Sequence, residues 1–314
     1  WGRIFLFGGY MDILAVTNQI LMMLLIMGIG LLLRKAGVIT AQVIHGISGI
    51  VLKVAMPSLV LMMVQKDGGQ ALKGEFMRIA LVSFLWLSAG LVIVFFLFKN
   101  KMAADRGAAF AGLSALPNVG YMGLPIIQAV YGDLGAVYLA AAVVGLNCTI
   151  YLTLEILMTG RLPKLSSLAG NIGLILSLLA LVSFMMDLRL PMPFSALVSQ
   201  LGSLTTPLSM LLAGARLMDF RLPALKDKEL WLAIFVRLLA LPMAGFALFR
   251  LLGFEGLPLG VITLACAMPG AVATQMYAER EKKDALFAAT GVSLGTILCL
   301  ASIPLVLLIT GLGK

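Results

Sequence analysis

Charge is what this sequence has least of. Only 12% of its 314 residues are Asp, Glu, Lys or Arg, about half the roughly 25% of ordinary soluble domains. Hydrophobic residues make up 61%. A water-facing globule cannot be covered with so few polar groups, so a soluble enzyme, a disordered tail, a collagen-like fibre and a secreted disulfide scaffold are all excluded. Histidine occurs once, at His45, and cysteine three times, at Cys148, Cys266 and Cys299, never in Cys-x-x-Cys spacing. That supply speaks against zinc or redox chemistry, and no cofactor is expected. No Gly-x-x-x-x-Gly-Lys-Ser/Thr loop is present, so ATP is not a direct driver. The formal charge of +9 comes without any basic run interleaved with aromatics, so no nucleic-acid partner is expected. The nineteen methionines are scattered, as apolar filler is.

What the sequence does have is apolar length. Segments fall at about 12–33, 41–63, 76–98, 107–130 and 134–158, then at about 167–186, 194–217, 230–252, 258–279 and 285–311. Most are long enough to cross a hydrocarbon layer about 30 Å thick, where only helices or closed barrels survive. They are too long and too continuously apolar for barrel strands. The expected fold class is therefore an all-α polytopic membrane protein of ten transmembrane helices. Fourteen Lys and Arg fall in the connections on one side and seven on the other, which places both ends outside.

Ten spans divide into two sets of five. Because five is odd, the second set enters the bilayer from the opposite side, an inverted repeat. The expected organisation is an upstream extension over 1–10 ahead of Met11, a first repeat over 11–158, a short inner connection over 159–166 and a second repeat over 167–314. The prolines support the repeat. Pro57 and Pro117 are 60 residues apart in the second and fourth segments, and Pro207 and Pro269 are 62 apart in the seventh and ninth.

The sharpest local text is Ser114-Ala-Leu-Pro117-Asn118-Val119-Gly120-Tyr121-Met-Gly123-Leu-Pro125. Pro117 removes a backbone donor, and the glycines weaken the helix further. Met268-Pro269-Gly270-Ala271 repeats the break in the ninth segment. Two half-helices would then point their N-termini at mid-depth, a place suited to an anion. Pro117, Asn118, Val119, Gly120, Tyr121, Pro269, Gly270 and Ala271 are thus candidate substrate residues. Lys53, Pro57 and Ser58 join them. Lys53 stands about halfway along the second segment, four residues before Pro57 and so on its face of a regular helix. Asn147, Tyr151 and Glu155 recur every fourth residue along the fifth segment and are candidates for a path or for ion coupling, as is Gln275. Arg237 is a further candidate, close enough to the inner end of the eighth segment to snorkel.

These motifs resemble the auxin efflux carrier family of membrane transporters, in its bacterial branch. The Leu116-Pro117-Asn118-Val-Gly120-Tyr121-Met-Gly123-Leu124-Pro125 text carries the resemblance, with Ala55-Met56-Pro57-Ser58-Leu59 and Ala267-Met268-Pro269-Gly270-Ala271-Val272 beside it. The resemblance implies a scaffold part and a transport part, alternating access, and fourth and ninth helices crossing at their breaks. It also implies a small carboxylate substrate, auxin in plants and dicarboxylates such as malonate or malate in bacteria. A bacterial cytoplasmic membrane follows from it, and a homodimer at family level. Leu116 stands where plant members carry the first Asn of Asn-Pro-Asn, and Gly270 stands where an Asn often follows the proline. Two other readings make different demands on the sequence. A sodium- or proton-coupled carrier of the bile-acid symporter or cation antiporter type would want an acidic residue at the crossover, and none adjoins Pro117 or Pro269. An intramembrane enzyme would want an acid pair or a Ser–His constellation at depth, and neither is present.

Overall fold

The computed structural model describes residues 13–65, 70–163, 172–219 and 225–312. The proposed extension over 1–10 and the end of the connection, 164–166, lie outside the described residues. So do the side chains of Lys53 and Tyr121.

The described residues are almost wholly helical. Four helical stretches, 72–98, 124–159, 194–216 and 228–251, are long and apolar enough to cross a membrane, and a bent pair over 285–310 makes a fifth. Large apolar side chains such as Leu25, Leu32, Leu85 and Phe96 are exposed, as lipid-facing residues are. The chain is thus a multi-pass helical membrane protein.

Helix α1 (Ile13–Lys35) ends on Arg34 and Lys35, whose charges suit the negative end of its dipole. Thr40 caps α2 (Ala41–Ile50) by accepting from the Val43 N–H. A wide π turn, Val51–Ala55, joins α2 to α3 (Met56–Val64), which has Pro57 in its first turn. Then come α4 (Gln70–Phe98), α5 (Gly107–Ala115) and, after an extended break and a second π turn at Val119–Gly123, α6 (Leu124–Cys148). Helix α6 is kinked at Gly132, where φ is +63°. A third π turn leads to α7 (Glu155–Thr159).

The later helices are α8 (Ile172–Met185), α9 (Phe194–Ser203), α10 (Thr205–Arg216) and α11 (Lys228–Phe235). A π turn, Val236–Ala240, precedes α12 (Leu241–Leu251). The broken pair α13 (Gly256–Cys266) and α14 (Val272–Arg280) and the long α15 (Ala285–Thr310) complete the described chain.

Three of the π turns are followed directly by a proline in the next first turn: Pro57, Pro125 and Pro242. The physical reason is the ring. Proline lacks an N–H and clashes with the carbonyl four residues back, and a turn widened by one residue relieves both faults. Lys53 lies within the Val51–Ala55 turn, four residues before Pro57.

Polar contacts sort into two ends of the molecule. At one end, Arg106 meets Asp227, Glu229 and Asp284, each at 2.8 Å, and so binds the starts of α5, α11 and α15. Asp227 and Asp284 also cap α11 and α15. At the same end, Glu155 pairs with Arg280 at 2.7 Å. Burial works against the charge on Arg106, but hydrogen bonds to Glu229 and Asp284 outweigh it and raise the pKa of the guanidinium above its ordinary value. At the other end, Lys73 meets Asp187 at 2.5 Å, Arg189 donates to the Val64 carbonyl at 3.1 Å, and Arg78 donates to the Leu252 carbonyl. Arg106→Gln leaves three carboxylates facing one another. It should lower stability by about 2 kcal/mol, a value reduced for partial exposure, and thermal unfolding in detergent at low and high salt would measure it. An unchanged midpoint at low salt would refute this role.

Helix α1 lies on α10, and α3 lies on α8 and α9; α4, α5, α6 and α11 to α15 pack as a second group, and α6 bridges the two through contacts with α1, α3 and α8. The α1–α10 contact is backbone on backbone. A Cβ at Gly30 would overlap the Leu211 carbonyl, and one at Gly214 would overlap the Met27 carbonyl and stand 2.7 Å from the Met27 Cα. Small residues permit this approach.

Candidate functional site

The two breaks meet. Pro117 and Gly270 form an antiparallel bridge, in which the Asn118 N–H donates to the Pro269 carbonyl at 2.7 Å and the Ala271 N–H donates to the Leu116 carbonyl at 2.9 Å. The prolines explain why the helices stop here. Each interrupts the i→i−4 ladder, and the extended residues beside them find their partners on the other broken segment. Leu116 is extended, with ψ of 118°, and Ala271 likewise, with ψ of 131°.

Four helix ends therefore face one another. The carboxyl ends of α5 and α13 approach from opposite sides. The amino ends of the Val119–Gly123 turn and of α14 leave the crossover without a side-chain cap. Uncapped N–H groups and the positive end of a helix dipole attract an anion.

A cleft of about 580 Å³, part of it open to the outside, adjoins these amino ends. Asn118, Met122, Val272 and Met276 come from the broken segments, Ser48 and Val51 from the second, Ser209 and Arg216 from α10, and Ser293 and Thr296 from α15. Asn118 is only 6% exposed, and its amide makes no hydrogen bond among the described residues. The buried Ser48 and Ser293 hydroxyls are likewise unpartnered there, whereas Ser209 and Thr296 donate to the carbonyls of Thr205 and Val292. A buried polar group with no protein partner is costly unless a water or ligand meets it. Arg216 is the one charged side chain lining the cleft among the described residues, and it stands 3.7 Å from Glu279. Glu279 also accepts from Gln275 at 2.7 Å.

The residues singled out in the sequence separate here. Asn118 lines the cleft. Pro117, Pro269, Gly270 and Ala271 build the bridge behind it. Val119 and Gly120 are buried in the turn beyond, and Gly120 faces the Met56 side chain closely. Pro57 and Ser58 are not among the lining residues; the Ser58–Leu59 backbone packs against Gly202 of α9. Asn147 donates to Ser177 at 2.6 Å, joining α6 to α8. Tyr151 is half-buried in its π turn, and Glu155 is held by Arg280.

Arg237 does not snorkel. It is 1% exposed, and its guanidinium turns inward to the crossover, away from the boundary. Sequence reasoning missed Ser48, Arg216 and Ser293. Arg216 ends an apolar run and so reads, in the sequence, as one of the loop charges. Its one signal was that this run also holds the mid-segment Pro207.

Broken helices crossing beside a largely apolar cleft that holds Asn118 and Arg216, within a multi-pass helical body, are the architecture of a membrane transporter. The chain belongs to the membrane transport protein family, the auxin efflux carrier family, whose pattern matches residues 15–171 and again 168–307. It is similar to an uncharacterized transporter of Methanocaldococcus jannaschii, 24% identical over 303 residues that cover 92% of this chain and 96% of the relative. A second uncharacterized transporter, from Methanothermobacter thermautotrophicus, is 23% identical over 298 residues with the same coverage.

Proposed function

We propose that this protein is a secondary carrier that moves a small organic anion, a carboxylate, across a cytoplasmic membrane by alternating access at the Pro117–Gly270 crossover. The observation that carries this reading is the unpartnered Asn118 amide, set in one cleft with two uncapped helix amino ends and Arg216. Together they offer donors and positive potential to a carboxylate. No Asp or Glu lines the cleft among the described residues, which favours an anion site over a cation-coupled one.

The ten-span, inverted five-plus-five plan belongs to the same proposal. Its support is the match of the family pattern to two successive stretches and the sorting of contacts to two ends. Connections three, seven and nine meet at Arg106, and connections two and six meet at Lys73–Asp187, as alternate crossings require. The α1, α3, α8, α9 and α10 group would be the scaffold, and the other group would move.

Uptake of radiolabelled malonate and malate into proteoliposomes tests the reading. The native chain is expected to accumulate one of them, and Asn118→Ala at least tenfold less, the loss of about one hydrogen bond to a charged group. Equal transport by both proteins would remove Asn118 from the site. Transport of neither acid by folded, sealed preparations would remove dicarboxylates from the substrate class.

A further inference from the structure

Arg237 has no carboxylate partner among the described residues, although it is fully buried. Nη1 donates to the Ala115 carbonyl at 2.5 Å and to the Ser114 carbonyl at 3.4 Å, and Nη2 donates to the Cys266 carbonyl. Ser114 and Ala115 are the last residues of α5, and Cys266 is the last of α13. One guanidinium therefore grips the carboxyl ends of both broken helices. Arginine suits the task because its planar fork presents donors in two directions at once. The π turn at Val236–Ala240, imposed by Pro242, is the stretch of backbone that carries this side chain.

The electrostatic consequence follows from counting ends. Two amino ends contribute about half a positive charge each, and two carboxyl ends about half a negative charge each, so the bare crossover sums to about zero. A guanidinium bound to the negative pair leaves the crossover with about one net positive charge. Because carbonyl dipoles and no carboxylate receive it, that charge is not cancelled locally.

We propose that Arg237 is a positioning residue for transport: it locks the carboxyl ends of α5 and α13 together and gives the crossover its net positive field, so that the site beside Asn118 takes anions. This rests on the anion-carrier reading for its second half, whereas the lock stands on the geometry alone. The same experiment separates the two. Native protein, Arg237→Lys and Arg237→Met are compared by hydrogen–deuterium exchange of the peptides spanning 113–120 and 264–272, and by uptake of radiolabelled malonate and malate in proteoliposomes.

In Arg237→Met, exchange at those two peptides is expected to rise at least tenfold while peptides of α1 stay within twofold. Arg237→Lys, which keeps the charge but lacks the fork, should fall between. For uptake, KM should rise about tenfold in Arg237→Met and less in Arg237→Lys, with a smaller change in maximal rate. Unchanged exchange at the crossover in Arg237→Met overturns the lock. A uniform rise along the whole chain also overturns it, since that marks a purely structural residue. If Arg237→Met does not fold, Arg237→Lys decides: native exchange at both peptides refutes the lock, and raised exchange confined to them supports it. Native chain that moves neither malonate nor malate removes dicarboxylates from the substrate class and overturns the field as proposed for them. Native uptake with an unchanged KM in the variants defeats the field alone.

Discussion

Gly214→Leu is expected to abolish well-folded protein, whereas Gly28→Leu on the facing helix should be nearly silent. The two positions differ in what a side chain would meet. A Cβ at Gly214 overlaps the Met27 carbonyl and lies 2.7 Å from the Met27 Cα, both backbone atoms that cannot swing aside. A Cβ at Gly28 meets nothing within 4 Å. Overpacking a close contact costs about 1–3 kcal/mol even where side chains can give way, so backbone against backbone should exceed about 3 kcal/mol. Gly30 faces Leu211 in the same way, so one substitution disturbs both close approaches. Fluorescence-detected gel filtration after a heating series reads the result. A Gly214→Leu profile as sharp and as heat-resistant as that of Gly28→Leu would show that α1 and α10 do not depend on this contact.

Arg216→Ala should lower malonate uptake, measured as kcat/KM, by about a hundredfold, and Glu279→Gln should change it in the opposite direction. Losing a charge-assisted hydrogen bond costs about 1.5–3 kcal/mol, and about 2.7 kcal/mol is two powers of ten. Arg216 sits on the cleft with a side chain only 12% exposed, so solvent screens it little. Its bridge to Glu279 runs from α10 to α14, that is, from one packing group to the other. An arriving carboxylate would compete with Glu279 for the same guanidinium. Removing that competitor should lower KM severalfold. Variants that both leave KM where the native protein has it would place substrate elsewhere.

The class of the molecule was legible because composition controls it: 61% apolar residues in long runs admit few alternatives. The breaks at Pro117 and Pro269 were legible for a covalent reason, since a missing N–H and a bulky ring act wherever they stand. That the two breaks would bond to each other was a matter of the spacing between two far-separated stretches, which local text could only suggest. The side chains around them were harder. Asn147 and Asn118 look alike in an apolar run, yet one is bonded to Ser177 and the other is unpartnered. Arg237 and Arg216 were both read as boundary charges, because an arginine near a segment end can reach water. Which way each turns depends on the carbonyls or carboxylates that a distant helix supplies.

The crossover bridge has an evolutionary consequence. Its two hydrogen bonds, Asn118 to Pro269 and Ala271 to Leu116, run between main-chain atoms, and main-chain atoms are common to every residue. These bonds are therefore blind to which side chain Leu116 carries, provided the backbone stays extended, whereas a Cβ at Gly270 would stand 2.7 Å from the buried Leu113 side chain and force it to shift. A lineage can change the side chain at Leu116 without first having to rebuild the main-chain joint that holds it.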